Sequence, residues 1–252
     1  MGHWYDKDGT QKHYVLGKNR VKRNTTLRDA RKHNWVPSVS TVWSDVIAKP
    51  MLYKWKEDNL MKHMHGILTG DDVWGEVAHT DDYMKEARAR FSIEQKELTD
   101  RGINAHQSLS DFFSGDTPEL SAPMIQGVTR KLNELCGEQD WKSETTFAHH
   151  FGFGGQVDLH CDEFLVDFKT KDLSSGKSAK SMVYLDHGVQ LAAYDTGLGK
   201  SGRKLMNLFV DVETGEVQEF VHEDPERNWE MFKHALELWK LMKKYDPKWY
   251  IM

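Results

Sequence analysis

The sequence predicts a mixed α/β fold of the α+β kind, because its hydrophobic periodicity changes along the chain. Apolar residues recur at helical spacing over 82–113 and 225–245, whereas 155–169 and 205–221 alternate between apolar and polar residues as strands do. The order of elements is helices, hairpin, helix, hairpin and helix. That order is typical of a fold in which helices pack on a sheet.

The composition indicates a folded protein with a buried core. The chain has 252 residues, of which 38% are hydrophobic and 11% aromatic, and these values argue against disorder. We find neither a run of roughly 18 apolar residues nor the pattern of a signal peptide, so we expect a cytoplasmic protein that is not secreted and not in a membrane. The two cysteines, Cys136 and Cys161, are too few for a disulfide framework or an iron–sulfur cluster.

The charge is distributed unevenly. The net charge is -5, but residues 1–56 contain 12 basic and 4 acidic side chains, a balance of +8 that leaves -13 for the remainder. Such a basic segment can follow a phosphate backbone, although a solvated charged surface explains the pattern as well. The candidate nucleic-acid contacts in this segment include Arg20, Lys22, Arg23, Arg31 and Lys32.

The N-terminal part is predicted to be a helical elaboration of the same domain, with 1–100 as the elaboration and 101–252 as the core. A helix starts at Pro37-Ser38 and is interrupted at Lys49-Pro50. The longer helix, over 82–113, places His106 on a largely apolar stripe with Gly102, Leu109 and Phe113. A histidine in that setting is more often a hydrogen-bonded core residue than a metal ligand.

Residues 155–169 predict a β-hairpin in which Asp162-Glu163 is the turn. Opposed residues then have numbers that add to 325, so Asp158 faces Asp167 and Gln156 faces Lys169. The predicted apolar face contains Val157, Leu159, Cys161, Phe164, Val166 and Phe168. Asp-Glu is a poor residue pair for the usual two-residue turn, which leaves a shifted register open.

Two facing carboxylates predict a cation. At about 5 Å they repel by about 3 kcal/mol at an effective dielectric of about 20. Mg²⁺ or Mn²⁺ would offset this repulsion, and Lys169 would lie beside the ion, where it could hold a phosphate oxygen or assist an attacking water. The alternative is a surface cluster of Asp158, Asp167 and Lys169 joined by salt bridges.

The remaining elements are a helix over 186–196, a hairpin around Thr214-Gly215 and a closing helix from Pro225. Gln190 and Tyr194 are four residues apart, so both side chains lie on one face of the first of these helices. Such a pair is, by itself, more often used for packing than for catalysis.

Three strings resemble motifs of the PD-(D/E)XK nuclease superfamily. They are 154–158 (GGQVD), 165–170 (LVDFKT) and 190–194 (QLAAY), and they resemble the "GxxD", "DxK" and "QxxxY" motifs of the RecB-type exonuclease branch. That branch includes mitochondrial genome maintenance exonucleases and phage exonucleases. The resemblance covers about 100–245 and extends weakly to 37–41 (PSVST). It implies a restriction-endonuclease-like core, a central mixed β-sheet flanked by helices.

The resemblance also implies a site. His106, Asp158, Asp167 and the Phe168 backbone carbonyl would hold the metal. Lys169 would be catalytic, with Gln190 and Tyr194 positioning it or its strand. Glu144 matches a family glutamate, with a salt bridge or a helix cap as the alternative. Ser38 and Trp55 join the candidate nucleic-acid contacts.

The implied function is a Mg²⁺- or Mn²⁺-dependent DNA exonuclease that hydrolyses phosphodiester bonds at the ends of DNA, with single-stranded DNA as the expected substrate. It would act in replication, recombination, repair or phage DNA processing, in a bacterial or phage-infected cell, with replication or recombination proteins as possible partners. A structure-selective endonuclease, a non-catalytic DNA-end-binding subunit and an unrelated metal-dependent hydrolase of nucleotides are the alternatives. No GxxxxGK[ST] motif is present, so no nucleotide cofactor is expected.

Overall fold

The computed structural model describes residues 2–48, 50–69, 80–116, 122–174 and 176–247. The predicted helix interruption at Lys49-Pro50 falls partly outside them, because Lys49 is not among the described residues. The N-terminal half contains β1 (Trp4–Tyr5), β2 (Tyr14–Leu16), β3 (Lys22–Asn24), α1 (Leu27–His33), β4 (Val36–Pro37), α2 (Val39–Val46), α3 (Pro50–Thr69) and α4 (Thr80–Phe113).

The C-terminal half contains the main sheet. Its elements are α5 (Pro123–Cys136), β5 (Lys142–His149), β6 (Phe153–His160), β7 (Phe164–Thr170), α6 (Ala179–Met182), α7 (Leu185–Gly197), β8 (Lys204–Val210), β9 (Val217–Val221) and α8 (Pro225–Lys243). The strand order is β5-β6-β7-β8-β9, with β7 and β8 parallel and the other neighbours antiparallel. The crossover between the parallel strands contains α6 and α7, as a parallel connection requires. A mixed α/β fold with a central mixed sheet is therefore confirmed.

The described chain forms two compact units. One combines Met1–Ile47 with His106–Met252, and the other is Ala48–Ala105. The second unit contains α3 and most of α4, where Leu60 and Met64 pack around the buried Ala87. The predicted division at residue 100 differs from these units, since residues 1–47 lie with the sheet.

The N-terminal 47 residues contain four short strands that the sequence patterns did not indicate, because strands of two or three residues are too short to show alternation. β1 pairs with β4, and both contact β6. The predicted helix start is confirmed: α2 begins at Val39, and the Ser38 hydroxyl accepts the Thr41 backbone N–H at 3.0 Å.

The core lies between the sheet and the helices α2, α7 and α8. α7 contacts four strands of the sheet and also packs on α8. Trp239 and Phe232 of α8, Leu191 of α7 and Phe153 of β6 are fully buried in this cluster. None of the helices in the described part of the chain has the length and apolar character needed to span a membrane.

The β6–β7 hairpin has the predicted register. Leu159 lies opposite Val166 and His160 opposite Leu165, and the Cys161 N–H donates to the Phe164 carbonyl across the Asp162-Glu163 turn. Val157, Leu159, Val166 and Phe168 are buried on the predicted apolar face, and Phe164 is partly exposed. Leu165, on the other face, is also buried, in the core cluster that contains Val189 and Leu191 of α7.

Candidate metal centre

Asp158 lies on β6 where its pairing with β7 stops. The last paired residues are Leu159 and Val166, and the Asp158 carboxylate then accepts the Phe168 backbone N–H at 2.8 Å. The Asp158 side chain thus accepts the hydrogen bond that a backbone carbonyl of β6 would otherwise accept, and β6 and β7 are no longer paired beyond this point. The carboxylate stays partly accessible in the gap.

Glu144 occupies the position on β5 directly opposite Asp158. The flanking pairs are Ser143 with Leu159 and Thr145 with Val157, so the ladder is interrupted at the pair of carboxylates. Glu144 has a φ of 50°, in the left-handed region. The other described non-glycine residues with positive φ lie in a turn or cap a helix, whereas Glu144 is inside a strand. Such a conformation costs on the order of 1–3 kcal/mol and is typical of functional sites.

His106 of α4 completes the group. Its Nδ1 is 3.4 Å from Asp158 Oδ2, and its ring meets the Phe168 ring edge-on at 6.3 Å. One ligand atom from each of His106, Glu144 and Asp158 lies within 4.8 Å of the other two, the spacing of ligands around a single ion. An imidazole nitrogen with two carboxylates fits a divalent cation. The structure therefore brings together the predicted His106 and Asp158 with Glu144.

The electrostatics of this group favour a cation. Burial and the charge of Asp158 raise the pKa of Glu144 to about 7, although His106 and a hydrogen bond from Gln156 oppose the shift. Burial lowers the pKa of His106, but the hydrogen bond and charge of Asp158 outweigh it and the net shift is upward. A raised pKa of Glu144 beside the Asp158 charge indicates an excess of negative charge that a bound cation would neutralise.

Asp167 is outside the close group of three and contacts Lys169 instead. Its carboxylate is 2.8 Å from Lys169 Nζ through Oδ2 and 3.1 Å through Oδ1. Burial and Asp158 raise the pKa of Asp167 while Lys169 opposes the shift. Burial lowers the pKa of Lys169, but Asp167 and Asp158 outweigh it, so the pKa is raised and the side chain is an ammonium. Metal ligation by Asp167 and by the Phe168 carbonyl stays a prediction.

Asn207 and His222 were not predicted from the sequence. Asn207 of β8 lies beside Asp167 in the parallel register, is completely buried, and donates from Nδ2 to Asp167 Oδ2 at 2.6 Å. Its Oδ1 is 2.7 Å from His222 Nε2. Because the carboxylate only accepts, the amide nitrogen faces Asp167, and His222 donates from Nε2. The signal in the sequence is a lone asparagine inside the apolar strand 204–210, since a buried polar group needs partners.

Gln190 and Tyr194 share one face of α7, as predicted. Gln190 Nε2 donates to the Tyr194 hydroxyl at 2.8 Å, and the Tyr194 ring packs edge-on against Phe147 at 5.8 Å. A Cβ at Gly155 would lie 2.7 Å from Tyr194 Cε1, so only glycine lets the ring approach β6. In the "GxxD" string, Gly155 is therefore needed for packing, in addition to the carboxylate of Asp158.

Three of the N-terminal candidates have structural contacts. Arg23 forms two hydrogen bonds with Asp29, at 2.7 and 2.8 Å. Arg31 donates to the Lys243 carbonyl at the end of α8, and Ser38 is the buried N-cap of α2. A role for these residues in DNA binding stays a prediction.

The other N-terminal candidates are exposed. Arg20 and Lys32 lie on the surface, and Lys22 Nζ stacks over the Tyr14 ring at 4.2 Å. Trp55 belongs to α3 and is also exposed. These side chains have the accessibility that contact with DNA would need.

Comparisons with known proteins give distant similarities in structure. No family model matches the chain, and no curated protein matches its sequence. The solved structure of SSO0001 aligns with a TM-score of 0.35 at 14% identity, covering 75% of this chain and 87% of that chain. An alkaline exonuclease from Laribacter hongkongensis, LHK-Exo, aligns with a TM-score of 0.34 at 16% identity, covering 82% and 91%.

Proposed function

We propose that the chain is a divalent-metal-dependent deoxyribonuclease of the PD-(D/E)XK type, RecB-like branch. The observation that supports this most is the grouping of His106, Glu144 and Asp158 within 4.8 Å. Asp158 lies on β6, next to the strand β7 that contains the Asp167–Lys169 pair. A salt-bridge cluster on the surface would not need a strained Glu144 facing a second carboxylate.

His106, Glu144 and Asp158 would hold the metal, with Asp167 and the Phe168 carbonyl as further ligands. Two or three carboxylates with one imidazole suit Mg²⁺ or Mn²⁺. When bound, such a cation makes water a better nucleophile near neutral pH and neutralises charge on the phosphate.

Lys169 has the geometry of an electrostatic partner for the phosphate. Asp167 fixes its ammonium, and Asn207 fixes Asp167 in turn. A positioned ammonium stabilises the charge that grows on a phosphoryl oxygen, and it can orient the attacking water. Gln190 and Tyr194 support β6 from the helix side, through the contact of Tyr194 at Gly155.

We further propose DNA as the substrate and attack at its ends as the mode. The basic N-terminal segment supports a polyanionic substrate. The resemblance of the three motifs to the RecB-type branch supports attack at the ends of the DNA. The proposed setting is DNA replication, recombination or repair, or phage DNA processing. Proteins of replication or recombination are the proposed partners.

The experiment is a degradation assay with the purified protein. End-labelled linear single-stranded DNA, linear duplex and covalently closed single-stranded circles are each incubated with Mg²⁺, Mn²⁺ or EDTA. We expect metal-dependent loss of the linear molecules with the circles intact. Cleaved circles would indicate an endonuclease, and binding without cleavage in either metal would indicate a DNA-end-binding subunit.

A further inference from the structure

The β2–β3 hairpin exposes apolar side chains. Tyr14, Leu16 and Val21 are 55, 72 and 59% exposed on a segment of only eleven residues. Apolar side chains grouped in this way on a surface are typical of a site that contacts a partner.

The hairpin is also strongly basic. The sequence contains no Asp or Glu between Asp8 and Asp29, although the whole chain has a net charge of -5. The basic residues in that interval are Lys12, Lys18, Arg20, Lys22, Arg23 and Arg28. This charge is complementary to a polyanion, and salt would weaken the attraction.

The register separates the hairpin into two faces. Tyr14, Leu16 and Lys22 share one face because Leu16 pairs with Lys22 and Tyr14 lies two residues away. Arg23 projects to the other face, where it pairs with Asp29 of α1 and anchors the hairpin to the body. The Tyr14 face is therefore the outward one, and Lys22 lies over the Tyr14 ring.

The hairpin is hydrogen-bonded at both ends. At its base the Thr25 N–H donates to the His13 carbonyl at 2.9 Å, and the Lys12 N–H donates to the Trp4 carbonyl at 2.7 Å. At its tip the Gly17 N–H donates to the Val21 carbonyl at 2.9 Å. A pre-organised surface loses little entropy when a ligand binds.

We propose that the face formed by Tyr14, Leu16 and Lys22, which we call the hairpin face, binds single-stranded DNA. A base stacks on Tyr14 or Leu16, while Lys22 and the tip residues Lys18 and Arg20 contact phosphates. Stacking on an exposed aromatic ring needs an unpaired base, which favours single strands over duplex. The proposal rests on the proposed function for its choice of DNA, and it deepens that function by naming the strand form and the surface.

The test measures binding without cleavage. Fluorescence anisotropy of a labelled oligothymidylate of about 20 nucleotides, in EDTA, gives the affinity of the wild type and of Tyr14→Ala, Tyr14→Phe and Lys22→Ala. We expect Tyr14→Ala to weaken binding on the order of tenfold and Tyr14→Phe to retain it. We expect Lys22→Ala to reduce the salt slope by about 0.7, and the control Lys233→Ala, at a partly exposed lysine of α8, to leave it unchanged. Circular dichroism checks that each variant is folded.

Three results would overturn the proposal. They are unchanged affinity in both Tyr14→Ala and Lys22→Ala, an equal loss of affinity for duplex, and binding of the wild type to anionic lipid vesicles but not to the oligonucleotide. A parallel Mn²⁺ cleavage assay separates the two proposals. If the wild type cleaves DNA and Tyr14→Ala binds normally, only the hairpin proposal fails, whereas Tyr14-dependent binding without cleavage contradicts only the nuclease.

Discussion

Lys169 and Asp167 lie two residues apart on one face of β7 and form an ion pair in which Asp167 is buried and Lys169 is partly exposed. The contact makes Lys169 a fixed positive charge rather than a mobile surface lysine. Its side chain is therefore available for electrostatic stabilisation at a defined place, but removing either partner leaves the other charge with less compensation.

Lys169→Met should lower kcat by on the order of a hundredfold or more, with a smaller effect on Mn²⁺ affinity. Methionine keeps the aliphatic part of the side chain and removes only the positive charge. Turnover of linear single-stranded DNA and calorimetric Mn²⁺ binding are measured on the same preparation. Lys171→Met, an exposed lysine two residues along, is the matched control. Parallel loss of turnover and Mn²⁺ binding would show that the role of Lys169 is misassigned.

Asn207→Leu should reduce the free energy of unfolding by about 1–3 kcal/mol, because the buried Asp167 carboxylate loses a donor and His222 loses an acceptor. Urea denaturation measures the change. Asn133→Leu, on the exposed side of α5, should stay near the wild type. A stability of Asn207→Leu equal to that of the control would mean that Asn207 does not support Asp167.

At the scale of elements, strongly patterned segments were predictable and short or polar ones were not. The β6–β7 hairpin, α7 and the β8–β9 pair followed from alternation, helical spacing and glycines. β5 contains the polar run Lys142 to Thr146, and only its pairing with β6 defines it. α5 lies in a segment for which no helix was predicted, although Pro123 at its first turn is a typical start signal.

Local spacing indicated only part of the candidate site, and the resemblance to known motifs added His106 and Glu144. Asp158, Asp167 and Lys169 follow from a hairpin register that is local in the sequence. Asn207 reaches Asp167 through parallel pairing across a crossover, and no local pattern specifies that register. Glu144 was a candidate through the family resemblance, but its position opposite Asp158 and its left-handed backbone depend on the pairing of β5 with β6, which no local pattern specifies. Long-range pairings therefore account for what the sequence did not predict.

Gly155→Ala should destabilise the protein by about 1–3 kcal/mol, because the new Cβ would lie 2.7 Å from Tyr194 and 2.9 Å from the Phe147 ring. Thermal unfolding measures the loss. In the Phe147→Leu background the penalty should shrink, since one of the two clashing rings is replaced by a smaller side chain. An equal penalty in both backgrounds would contradict crowding against Phe147 as its cause.

At the scale of the whole molecule, acid should destabilise the fold through partly buried histidines. Burial and the neighbouring His3 lower the pKa of His13 to about 4, and burial and His150 do the same for His149. Each Nδ1 accepts a backbone N–H, from Trp4 and Phe151 respectively. The neutral imidazole is therefore the form that the fold requires.

The direction of this pH dependence of stability follows from how many protons the folded and unfolded states bind. Unfolded histidines titrate at about 6.5, so between pH 6.5 and about 4 the unfolded state binds more protons and stability falls as the pH falls. His13→Asn keeps an acceptor without a titrating group and should reduce this pH dependence, as measured by urea denaturation at several pH values. Glu144 titrates in the opposite sense over an overlapping range, so the difference between variant and wild type is the relevant quantity. If the difference in unfolding free energy between His13→Asn and the wild type is the same at every pH in that range, the role of His13 is contradicted.

The most direct measurement is Mn²⁺ binding by isothermal titration calorimetry to the wild type, Asp158→Asn and the control Asp162→Asn. Asparagine at 158 can still accept the Phe168 N–H, so the fold should persist while the charge that draws the cation to His106 and Glu144 is lost. We predict one Mn²⁺ site in the wild type and in Asp162→Asn, an exposed turn residue, and its loss in Asp158→Asn. Equal Mn²⁺ affinity in all three proteins would contradict a metal centre at this place.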